Sequence, residues 1–198
     1  MLLLFRNIRR NDEVCKDDCI KFGIRRIYGF DDFKINFTYP KKVVNSIIDD
    51  EYLDGRERFR YKKAVILMGA NATGKTSIGK ALLKIITYIN TGNIAVLYDM
   101  IMGKTGSFLI DFVNDGFCLH RLIGNIDVVT SSIDIKYQSA KIDKMDSYEK
   151  CITKLEDHTN EAMKNINSLK KIIGPISYRF AYPEIESSIL LNDIDRQV

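Results

Sequence analysis

Two stretches near the N-terminus alternate between apolar and polar positions. Ile20, Phe22 and Ile24, with a slip to Ile27, predict one strand. Phe33, Ile35 and Phe37, set against Lys34, Asn36 and Thr38, predict a second, half-buried strand that Pro40 closes. Gly29-Phe30-Asp31-Asp32 between them has turn composition, so the pair predicts an antiparallel hairpin. Residues 41–62 are charged, include Gly55, and predict a surface excursion with a short helix around Val43–Tyr52. Ala64-Val65-Ile66-Leu67-Met68 is a continuous apolar run, the pattern of a strand buried on both faces. From Ser77 to Tyr88 the period changes, and Ile78, Ala81, Leu82, Ile85 and Ile86 follow helical spacing.

Further along, residues 92–106 show no single period. Phe108, Ile110 and Phe112 alternate, Asn114-Asp115-Gly116 makes a turn, and Phe117 to Leu122 resumes the pattern, which predicts a second hairpin. Ile126 to Tyr137 adds short strands, and the whole region predicts an antiparallel lobe laid against a core. Tyr148, Ile152, Leu155, Thr159, Ala162, Ile166, Leu169 and Ile173 follow a 4-3-4-3 spacing through residues 146–173. That spacing fits the seam of a coiled coil, about 40 Å long, or an amphipathic helix packed on the same domain. Gly174-Pro175 stops it, and the tail to Val198 has no strong period.

A length of 198 residues fits one domain, or one domain with an appendage. The chain is 45% hydrophobic and 28% charged, as ordinary soluble proteins are, and a net charge of +4 permits nucleic-acid contact without demanding it. The basic clusters are Arg9-Arg10, Arg25-Arg26, Arg56 with Arg58 and Arg60, and Lys62-Lys63. The apolar run Met1–Phe5 is too short for a signal peptide or a membrane span, so a soluble protein with no membrane partner is expected. Cys15, Cys19, Cys118 and Cys151 form no disulfide framework, which points to reduced thiols and a cytoplasmic setting. Their spacing, even with His120 added, lacks the tight ligand pairs of a zinc site, and small buried hydrophobes are the simpler reading.

One motif carries chemistry. Gly69-Ala70-Asn71-Ala72-Thr73-Gly74-Lys75-Thr76 matches G-x-x-x-x-G-K-[ST], and the helix continues through Ser77. Glycines at both ends let the backbone turn so that successive N–H groups point at phosphate oxygens. The helix that starts near Lys75 adds its positive end to the same place. Lys75 then meets the β- and γ-phosphates and the Thr76 hydroxyl is a Mg²⁺ ligand. An apolar run before the loop and a helical period after it supply the required strand–loop–helix context. ATP with Mg²⁺ is the expected ligand pair, since no guanine-reading N-K-x-D segment is present.

With asparagine at its third position, the loop resembles those of the SMC-like branch of ABC ATPases, which includes RecF-like repair proteins, OLD-type nucleases and ATPases of phage-defence systems. The strand, Gly29-Phe30 turn and second strand ahead of the loop are similar to the opening of such heads. The resemblance implies an α/β fold, with a P-loop NTPase core, an antiparallel β lobe and a long helical, coiled-coil-like arm. It implies residues 1–144 as the N-terminal part of an ATPase head, 145–174 as the arm and 175–198 as a tail or return segment. It also implies ATP hydrolysis on pairing with a second protomer as a homodimer, an output in DNA handling or through an effector protein, and Gln138 as a contact to Mg²⁺ and the attacking water.

Two parts of that family pattern are missing from the sequence: an LSGG-like segment and an apolar run followed by Asp-Glu. The chain is therefore expected to need completion before it hydrolyses ATP. A self-contained small P-loop phosphotransferase would instead use Asp99, at the end of Ile94–Tyr98, to hold Mg²⁺. A regulatory head that binds ATP without turnover is the third reading.

Overall fold

The computed structural model describes residues 2–4, 18–39, 51–62, 64–68, 70, 73–114 and 116–159. In chain order these form β1 (Leu2–Leu4), β2 (Asp18–Arg25), β3 (Phe33–Asn36), β4 (Tyr52–Leu53), β5 (Arg56–Arg60) and β6 (Ala64–Ile66). Then follow α1 (Lys75–Thr91), α2 (Ala95–Tyr98), β7 (Thr105–Asn114), β8 (Cys118–Asp127), β9 (Ser132–Lys141), α3 (Tyr148–Thr153) and β10 (Glu156–Asp157).

Six strands make the main sheet, in the order β10-β9-β8-β7-β2-β3, and every pairing is antiparallel. The local sequence explains much of this. Both hairpin turns of the β7-β8-β9 meander are short, and a short turn can only join antiparallel neighbours. Phe117 and Ser131 take positive φ of 52° at those turns. Asp127 Oδ1 accepts bonds from the N–H groups of Val129 and Thr130 in the second one. The predicted first hairpin is present as β2 and β3, with Phe22 opposite Ile35 and Ile24 opposite Phe33.

The sheet buries both faces. On one, Phe22, Ile24, Phe108, Ile110, Phe112, Leu122 and Tyr137 meet the apolar stripe of α1, made by Ile78, Ala81, Leu82, Ile85 and Ile89. Spacing of three and four puts those helix positions on a single side. A bulge between Cys19 and Lys21 turns Ile20 to the opposite face. There it joins Val113, Leu119, Phe59 and Tyr61 of the β4–β5 ribbon, and Tyr148 and Cys151 of α3.

Several expectations are corrected. The α/β fold with a P-loop core is not what forms: among the described residues the sheets are antiparallel, and β6 pairs there only with β1, antiparallel, in a separate two-stranded sheet. A parallel core needs a helix to carry the chain to a neighbouring parallel strand. Here α1 leads through α2 into β7, which pairs with β2 and β8 instead. Nor is the apolar run Ala64–Met68 buried on both faces, because Met68 is 86% exposed.

The long helical arm is likewise overturned over its first half, 145–159. Ser147 caps α3 by accepting a bond from the Lys150 N–H, and the helix ends at Thr153. Leu155 then leads into β10, whose Glu156 and Asp157 pair with Ser139 and Gln138 on the edge of β9. The rest of the expected arm, 160–174, and the tail 175–198 lie outside the described residues, as does most of the helix expected around Val43–Tyr52. At its end, Tyr52 and Leu53 form a strand. Among the described residues no helix is long and apolar enough to cross a membrane.

Candidate functional site

The glycine-rich loop leaves β6 through Leu67 and Met68 and ends at the start of α1, which runs for 17 residues. Of its residues, Ala70 and Thr73 to Thr76 are described; Gly69, Asn71 and Ala72 lie outside. Gly74 is the N-cap of α1 with φ 82° and ψ 7°, a left-handed conformation that suits glycine. Its carbonyl accepts the first helical bond, from Ile78 N–H at 3.0 Å. No acidic side chain stands in the first turn of α1, so its positive end is left for another anion.

Lys75 turns back over the loop. Its Nζ donates to the carbonyl of Ala70 and, at 2.9 Å, to Thr73 Oγ1, which itself donates to Ala70 O at 2.9 Å. The ammonium thus sits over the loop. Thr76 is exposed at the first turn and Ser77 half-buried beside it. A cleft of about 350 Å³ opens at this point, with Thr73 and Lys75 on one side and Phe33, Ile35, Leu67 and Ile78 supplying apolar walls.

The turn at Gly29-Phe30 reaches the same loop. A Cβ on Gly74 would sit 2.6 Å from Cζ of Phe30, so the aromatic ring occupies the space that glycine leaves. Phe30 also packs on Phe33, ring centroids 5.3 Å apart. The turn is set by positive φ at Arg26, Tyr28 and Gly29 and tied to the residues after α2 by Tyr28 N–H donating to Met100 O at 2.8 Å. Sequence reasoning placed Phe30 in a turn but not against the loop. An aromatic beside the glycine of that turn was the available signal, and only the tertiary packing gives it a partner.

Other candidates fall elsewhere. Asp99 follows a short helix rather than a strand, and both its carboxylate oxygens are held by Lys84 Nζ at 2.5 and 2.6 Å. Gln138 pairs with Arg121 in the β8–β9 register and so shares the face of Asp111 and Arg121. That is the face opposite α1, so the structure does not bring Gln138 to Thr76.

Asp111 is fully buried, bonded by Arg121 and by the Tyr148 hydroxyl at 2.7 Å, and ties α3 to the sheet. His120 is buried between Phe112 and Tyr137, its Nδ1 2.8 Å from the Tyr137 hydroxyl. Burial lowers its pKa to about 4, which makes it a neutral core residue at neutral pH. Cys19 and Cys151 are buried and Cys118 is half-buried, and no disulfide joins them among the described residues.

Of the basic clusters, Arg25 and Arg26 are exposed and line a polar cleft of about 360 Å³ that also holds Asp127 and Asp134. Arg56 is engaged by the fold: its Nε donates to Ile142 O at 3.0 Å and its guanidinium lies 4.1 Å from the Phe117 ring centre. No family model matches the chain, and no curated protein matches it at a significant level.

Proposed function

We propose that this chain binds ATP with Mg²⁺ at the loop Gly69–Thr76 and serves as a nucleotide-binding head that pairs with a second protomer. The observation that carries the reading is the junction of loop and helix: Gly74 left-handed at the cap, no acidic residue in the first turn, and the Lys75 ammonium drawn over the loop. A triphosphate replaces the Ala70 carbonyl and Thr73 hydroxyl as the partner of Lys75, and the helix end and loop N–H groups meet its oxygens. Thr76, exposed on the first turn, would hold Mg²⁺ through its hydroxyl. When bound, that ion offsets charge on the β- and γ-phosphates.

An output in DNA handling or through an effector protein follows from the resemblance of the loop. Free thiols accord with a cytoplasmic setting.

Calorimetry of Mg²⁺-ATP against the chain and its Lys75→Ala variant tests the reading. Binding by the chain that the variant loses supports it, and equal binding by both overturns it. Turnover of ATP by the chain alone would favour a self-contained NTPase over a head awaiting its partner.

A further inference from the structure

We infer that Phe30 is a positioning residue for the phosphate loop: its ring, seated on the Cβ side of Gly74, holds the loop's last hinge in the shape that receives phosphate. This rests on the nucleotide reading and adds to it a part of the fold far from the loop in sequence.

The geometry is specific. Cζ of Phe30 lies 2.6 Å from where a Gly74 Cβ would be, and Cε1 and Cε2 lie at 3.4 and 3.3 Å, so the end of the ring faces the glycine. Gly74 is therefore glycine for two reasons: the left-handed backbone and the space the ring fills. The turn that carries the ring is fixed in place. Phe30 N–H donates to Ile27 O at 2.9 Å and Phe30 O accepts from Arg26 N–H at 2.7 Å, closing the turn on itself. Left-handed residues at Arg26, Tyr28 and Gly29 hold the turn in an uncommon backbone shape. Its far side is tied down by the bridge between Ile27 and Ile101. On the loop side, Gly74 is the last residue before the helix, so a ring pressed on it limits the backbone conformations open to Gly74 itself.

A loop already in its bound shape gives up less conformational freedom when the ligand arrives. Without the ring, about one further backbone residue must be ordered on binding, which weakens affinity by roughly tenfold. A structural role for Phe30 would lower stability and leave affinity alone, so affinity and melting temperature must be read together.

The experiment measures Mg²⁺-ATP affinity by calorimetry and the nucleotide-free melting temperature for the chain, Phe30→Ala, Phe30→Met and Phe117→Ala. Phe117, half-buried against the second core on the far face of the sheet, is the control for lost aromatic packing. Expected are about tenfold weaker binding for Phe30→Ala, substantial recovery for Phe30→Met, which refills the space, and unchanged affinity for Phe117→Ala. Equal affinity in Phe30→Ala and the unaltered chain overturns the inference while leaving nucleotide binding intact. So does equal weakening in Phe117→Ala, which would show that general packing is responsible. Should Phe30→Ala fail to fold, Phe30→Met and Phe30→Leu decide by whether affinity varies with the side chain while melting temperature does not. No binding by the unaltered chain overturns the nucleotide reading, and this inference with it.

Discussion

Arg121 grips Asp111 with two parallel bonds across the β7–β8 ladder, Nε to Oδ1 and Nη2 to Oδ2, both at 2.8 Å. The two residues stand directly opposite one another, and Asp111 has no exposure to solvent. A carboxylate so placed is stable only while its partner remains. Replacing Arg121 with Met should destabilise the chain by about 3–5 kcal/mol, measured by urea unfolding. The double variant Asp111→Leu, Arg121→Met should lose less than Arg121→Met alone. An equal or larger loss in the double variant would mean that the pair stabilises by more than mutual neutralisation.

Gly124 faces Phe108 across the same ladder, and a Cβ there would overlap the Phe108 ring. Phe108 is buried in the core beneath α1 and has little room to move aside. Gly124→Ala should therefore lower stability by about 1–3 kcal/mol despite the better strand propensity of alanine. Thermal unfolding checks this, and an unchanged melting temperature would show that the ring shifts freely.

His120 makes stability depend on pH. Its pKa is about 4 in the folded chain against about 6.5 when unfolded, because burial disfavours the charged ring. Between those values the unfolded chain binds more protons, so stability from this group is complete above about pH 6.5 and falls as pH drops toward 4. The loss over that window is of the order of 3 kcal/mol. His120→Gln should flatten that part of a melting-temperature profile taken from pH 7 to pH 4.5, and an identical slope in the variant would reject His120 as its source.

Asp99 should tolerate change. Its pairing with Lys84 leaves its side chain 67% exposed, and pairs of that kind contribute under about 1 kcal/mol. Asp99→Asn is expected to leave Mg²⁺-ATP affinity and melting temperature nearly unaltered. A marked loss of affinity would restore Asp99 as a metal ligand.

The elements legible in the sequence were those whose pattern and partner are both local. The β2–β3 and β7–β8 hairpins follow from period-2 alternation around Gly- and Asn/Asp-containing turns, and α1 from its apolar spacing. The candidate site was legible as a motif, in the spacing of Gly69, Gly74, Lys75 and Thr76. Its surroundings were not. Phe30 and the apolar wall from Phe33 and Ile35 come from a hairpin some forty residues earlier, brought to the loop by folding.

Where the reading failed, the pattern was compatible with several partners. Tyr148, Ile152 and Leu155 keep a helical spacing, yet Tyr148 and Cys151 are the α3 residues that bury into the second core, and the open edge of β9 takes Glu156 and Asp157 into the sheet. Spacing states which side chains can share a face, not how far a helix runs before a strand edge satisfies its backbone better. Val65 and its neighbours could read as the centre of a parallel sheet, but strand direction depends on which strand arrives alongside, and here that is Leu2–Leu4 running the other way.

The sequence by itself thus determined the phosphate-loop motif, the helix behind it and the hairpins, all governed by short-range sterics and periodicity. Tertiary structure alone decided the strand order, the antiparallel setting of β6, the end of α3, the burial of Asp111 against Arg121 and the seating of Phe30 on Gly74. Each of these is a contact between segments distant in the chain, whose formation depends on the competition of all surfaces for burial and of all backbone groups for hydrogen-bond partners.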